Sequence, residues 1–138
     1  MKSKVLVDTN VLLRYILEDN EEMALTAELV IAGGAWTAPE FLAEMVYVLE
    51  SIYGFSRDDI CAALNTVYVK VETRPSDIVR RAIQEYENTK LDFVDCMMVA
   101  YAACDENIFT FDKGIKRRIS EINYPEHVND VSKTDWYK

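Results

Sequence analysis

The chain has 138 residues, half of them hydrophobic, and a formal net charge of -9. That length and apolar content predict one compact domain spanning 1–138, with no low-complexity run or internal repeat to suggest otherwise. No apolar stretch approaches the roughly 20 residues of a membrane span. The N-terminal apolar segment is also too short for a signal peptide, so no membrane association and a cytoplasmic location are expected.

Lys4 to Val7 reads as a short buried strand, and Val11, Leu12, Tyr15 and Ile16 recur at helical spacing directly after it. Asp19-x-x-Glu22 resembles a capping box for a second helix, which Gly33-Gly34 ends. Trp36 to Ala38 reads as a short strand. Thr37-x-x-Glu40, with Pro39 between, predicts a helix start, and Gly54 stops that helix near Tyr53. Ser56-x-x-Asp59 begins another helix, ending near Thr66, and Val67 to Val71 reads as a strand. Pro75 opens a helix to about Asn88, and Asp92 to Cys104 is a helix with apolar residues all round, hence buried. Asn107 to Phe111 is a predicted strand, Lys116 to Ile119 a helical turn, and Val128 to Val131 a candidate last strand. Short apolar strands alternating with helices predict an α/β fold with a mostly parallel sheet flanked by helices.

Cys61, Cys96 and Cys104 are odd in number and lack C-x-x-C spacing. Cys96 and Cys104 would lie roughly 12 Å apart along one helix, too far for a disulfide. His127 is the lone histidine. A zinc site of His/Cys type and a Ser-His-Asp triad are therefore not expected.

Four acids sit at the ends or rims of elements that must be buried: Asp8, Glu44, Asp95 and Asp112. Asp8 ends the first apolar run and Asp112 ends Ile108-Phe109-Thr110-Phe111. Sites in parallel sheets form outside the carboxyl ends of strands. Helix capping at Asp8 and turn chemistry at Asp112 account for the same residues without a site. On a helical wheel with Phe41 at zero, Met45, Val48, Leu49 and Ile52 fall between about -20° and +80°. Glu44 flanks this arc near about -60°, Glu50 points outward near about 180°, and Glu40 is the capping partner. Asp92 and Asp95 share a face of the first turn; capping absorbs one of them, most naturally Asp92. Carboxylates at buried edges are costly unless a cation offsets them. A divalent-metal site and phosphodiester chemistry are the leading reading.

Taken in order, Val5-Leu6-Val7-Asp8-Thr9-Asn10, the interior Glu44, Asp92-Phe93-Val94-Asp95-Cys96 and Thr110-Phe111-Asp112-Lys113 resemble the motifs of PIN-domain ribonucleases. Cys96 replaces a common alanine. The toxin branch, VapC-like endoribonucleases of toxin-antitoxin pairs, is the nearest likeness. The resemblance covers essentially the whole chain and implies a PIN-like α/β/α sandwich. It further implies Mg²⁺ or Mn²⁺ held by Asp8, Glu44, Asp95 and Asp112, with Thr9, Asn10, Asp92 and Thr110 supporting those ligands. An RNA substrate, a tRNA loop for example, a cognate antitoxin and a homodimer are the implied partners.

The acidity argues against generic nucleic-acid binding, which leaves a basic footprint. Two divalents would move the charge only from -9 to about -5. RNA must then meet a local patch, for which Lys113, Lys116, Arg117 and Arg118 are the first candidates and Arg14 the next. Two other readings stay open: a metal-dependent DNA nuclease or phosphohydrolase, and a catalytically silent PIN-like interaction module. A P-loop is absent, and Asp8 lacks the D-x-D continuation of aspartyl-phosphate phosphatases.

Overall fold

The computed structural model describes residues 3–122 and the backbone of residues 128 and 129. These residues adopt an α/β architecture in which every described strand pairing is parallel. The chain groups into two compact units, Met1–Ser76 and Asp77–Lys138.

The first unit runs β1 (Val5–Leu6), α1 (Thr9–Leu17), α2 (Glu21–Ala32), β2 (Ala35–Thr37), α3 (Pro39–Ser51), α4 (Arg57–Lys70) and β3 (Glu72–Thr73). Its sheet has the order β1-β2-β3, with Val5 beside Ala35 and Thr37 beside Thr73. Helix α1 packs against α2 and α3, and α3 against α4. The core is built from Leu12, Leu42, Met45, Leu49, Ile60, Leu64 and Val67, all essentially without solvent contact.

Several local expectations change here. Val7 is buried, but Val5 and Leu6 of β1 are exposed, so the first strand is not the fully buried one its composition suggests. Thr37 does not cap α3. Its hydroxyl donates to the Val7 carbonyl at 2.9 Å, tying β2 to the end of β1, while Ala38 occupies the cap without a side-chain bond. Asn20, not Asp19, caps α2 by accepting from the Met23 amide, and Asp19 instead pairs with Arg14 at 3.1 Å. The expected strand over Val67–Val71 is the last turn of α4. Ile60, Ala63, Leu64 and Val67 are buried at helical spacing, and that longer period overrides the local alternation of β-branched residues. Ser56 and Asp59 do form the capping box that opens α4. On α3 the buried positions are Leu42, Met45, Val46 and Leu49; Ile52 lies past the helix end and is exposed.

The second unit holds α5 (Ser76–Asn88) from its second residue onward, α6 (Phe93–Ala103), β4 (Ile108–Phe109), α7 (Lys113–Glu121) and β5 (Val128–Asn129). Strands β4 and β5 pair in parallel, Ile108 beside Val128. Val99, Ala102, Ile108, Ile115 and Ile119 form a buried cluster that joins α6, β4 and α7. Tyr86 of α5 meets Phe93 edge-on, ring centroids 6.0 Å apart. Helix α6 is largely buried, as its all-round apolar composition predicts, and α7 is two full turns rather than one. The three cysteines are free thiols. Apart from the two residues of β5, the expectations for the tail after Ile122 lie outside the described residues.

Candidate metal centre

In the first unit Asp8 is the N-cap of α1; its Oδ1 accepts from the Val11 amide at 3.3 Å. Thr9, next along, is buried. Its hydroxyl lies 2.9 Å from the Phe41 carbonyl and 3.2 Å from Glu44 Oε2, shared between the two acceptors. One threonine thus ties the start of α1 to α3 and orients the Glu44 carboxylate, which itself stands exposed. Asn10 is exposed and lines a groove between α1 and α2 with Arg14, Met23 and Val30.

In the second unit two helix starts carry the acids. Asp92 is the N-cap of α6 and accepts from the Asp95 amide at 2.9 Å. Asp112 is the N-cap of α7 and accepts from the Ile115 amide at 2.9 Å, while its own amide donates to Thr110 Oγ1 at 3.0 Å. Asp95 has no capping role. Its carboxyl is held above the ordinary aspartate value, first by desolvation and then by the negative charges of Asp92 and Asp112. Every cause of that shift disfavours the anion.

The donor chemistry fits a hard divalent cation, which takes carboxylate and hydroxyl oxygens. A carboxyl whose anion is disfavoured first by desolvation and then by two like charges is one that added positive charge would stabilise. Among the described residues, no group of three or more His, Cys, Asp or Glu side chains is spaced to hold a metal ion. The described acids therefore supply the ligand types without forming a closed cage.

The basic residues divide. Lys113 and Arg117 are exposed one turn apart on α7. Arg118 is committed elsewhere: its Nε donates to Glu85 Oε1 at 2.5 Å and its Nη2 to Oε2 at 3.4 Å. This bond, ahead of other causes, raises the guanidinium pKa still further. Arg14 faces Asp19.

Glu85 is the charged residue that sequence reasoning missed. It is 2% exposed and also receives Arg81 Nε at 3.1 Å. A helical wheel contains the signal, because Glu85 follows Ile78 by seven residues and Ala82 by three, on the apolar face of α5.

The chain is similar to known proteins over most of its length. The PIN domain family model matches residues 5–119. A VapC ribonuclease of Aquifex aeolicus (strain VF5) is 32% identical over 101 residues, covering 67% of this chain and 73% of the relative. No solved structure gives a significant match.

Proposed function

The chain belongs to the PIN-domain family and is VapC-like, and on that premise we propose that it is a Mg²⁺- or Mn²⁺-dependent endoribonuclease, the toxin of a type II toxin-antitoxin pair. The observation that carries this reading is Asp95, whose carboxyl is held above the ordinary aspartate value first by desolvation and then by the carboxylates of Asp92 and Asp112 at the starts of α6 and α7. The ligands proposed are Asp8, Glu44, Asp95 and Asp112. When bound, the ion supplies Lewis-acid activation of water and offsets charge at the phosphoryl group.

The chain's own residues do the rest. Thr9 fixes the direction of the Glu44 carboxylate. Thr110 holds the backbone at Asp112, and the caps at Asp8, Asp92 and Asp112 set their carboxylate rotamers. Of the basic patch on α7, Lys113 and Arg117 are the exposed cations and pair with RNA phosphates. With so few of them on a chain of net charge -9, affinity is weak and falls steeply with salt. A cognate antitoxin, a homodimer and a cytoplasmic setting belong to the same proposal. No described helix is long and apolar enough to cross a membrane.

The test is cleavage of a labelled RNA panel in Mn²⁺, with EDTA and Asp95→Asn as controls, alongside melting curves with and without the ion. Metal-dependent cleavage that Asp95→Asn lowers by about 100-fold is expected, together with a metal-induced rise in Tm that the variant loses. Absence of both cleavage and metal stabilisation defeats the proposal in favour of a silent interaction module. Cleavage of DNA alone assigns the chain to the deoxyribonucleases.

A further inference from the structure

Phe111 of the second unit is 73% exposed, although phenylalanine is among the side chains most often buried. It occupies the position just before the N-cap of α7, where an apolar residue ordinarily packs on the fourth residue of the helix. That fourth residue is Lys116, so the usual apolar staple is missing. Its ring meets that of Phe109, centroids 5.0 Å apart and planes at 80°. In an edge-to-face pair only one face of one ring is covered, so at least one face of Phe111 remains open. Asp112 follows directly, and the exposed cations Lys113 and Arg117 lie on the same short stretch.

An open aromatic face beside cations is how proteins hold single-stranded nucleic acid: the ring stacks a base and the cations track the backbone. We propose that Phe111 is a nucleobase-stacking subsite for single-stranded RNA, seating an unpaired base next to Asp112. The proposal rests on the ribonuclease reading and adds a specificity to it. Stacking tolerates any base but needs one free of a duplex, so loops and single strands are preferred over paired RNA.

Binding of a labelled single-stranded RNA is measured by anisotropy at low salt in Ca²⁺, with the RNA checked for integrity on a gel. Phe111→Ala is expected to weaken Kd about tenfold. Phe111→Leu, apolar but without a π face, loses as much, and Phe111→Trp restores wild-type binding. A single abasic residue in the RNA weakens the wild type by a similar factor at one position and leaves Phe111→Ala unaffected. The proposal is overturned by wild-type binding in Phe111→Leu, by an abasic effect that persists in Phe111→Ala, or by no binding of the wild type at all. It is also overturned if Phe111→Ala changes the sedimenting mass and not RNA affinity, which marks a contact between copies of the chain. Because this assay needs no cleavage, failure of the subsite and failure of the ribonuclease reading are read separately.

Discussion

Glu85 and Asp95 are carboxylates of the same unit, and the chain treats them in opposite ways. Glu85 is buried and receives two guanidinium groups, Arg81 from its own helix and Arg118 from α7. Asp95 stands at a helix start with Asp92 and Asp112 as its charged neighbours, and its anion is disfavoured. A charge answered from within the chain is part of the architecture. A charge left among like charges is one that added positive charge would stabilise.

The difference predicts opposite signs on mutation. Arg118→Met leaves Glu85 buried with one partner and is expected to cost about 3 kcal/mol of stability in urea unfolding. Replacing Glu85, Arg81 and Arg118 together by apolar residues of similar volume is expected to be close to neutral. If the single change also proves neutral, Arg81 alone satisfies Glu85 and the contrast with Asp95 is weaker than drawn.

Asp95→Asn should act the other way and raise the stability of the metal-free protein at pH 7 by a few tenths of a kcal/mol, solvent screening keeping the gain small. The folded state holds the Asp95 proton more tightly than the unfolded chain. Its contribution therefore favours the fold at low pH and is lost as pH rises through the raised value, and the amide never meets that penalty. A metal-free Asp95→Asn protein less stable than wild type would mean that the charge is satisfied after all.

The smallest effect belongs to Glu72 of β3, bonded to Lys4 at 2.7 Å and to Arg74. It has two cations, as Glu85 does, but in solvent. Hydrogen bonds from Lys4, then Arg74, hold its carboxyl below the ordinary glutamate value. That stability is present above the unfolded value and is lost as pH falls through the lowered one. Glu72→Gln should flatten this part of the acid unfolding curve only slightly; a large flattening would show that burial is not what separates Glu85 from Glu72.

Sequence alone made most of the helix starts visible, because capping is local. Ser56, Asp92 and Pro39 announce α4, α6 and α3 within a few residues of each helix. What stayed hidden depends on partners distant in sequence. Thr37 looks like a cap until Val7 is beside it. Val67 to Val71 looks like a strand until the buried series from Ile60 is read through it. Asp8, for which helix capping is one of the two readings, is a cap, and so is Asp112, for which turn chemistry is the alternative to a site. Arg118, read from sequence as an RNA contact, is bonded to a glutamate 33 residues earlier.

Those caps have a consequence for ligand capture. Asp8 and Asp112 each spend Oδ1 on a backbone amide, which fixes the side-chain rotamer as the helix forms. The partner oxygen, Oδ2, is thereby aimed before anything arrives to meet it. Freezing two aspartate rotamers is then part of the free energy of folding and not of binding. At each of the two caps, folding uses one oxygen of the carboxylate and leaves the other already oriented for whatever it meets.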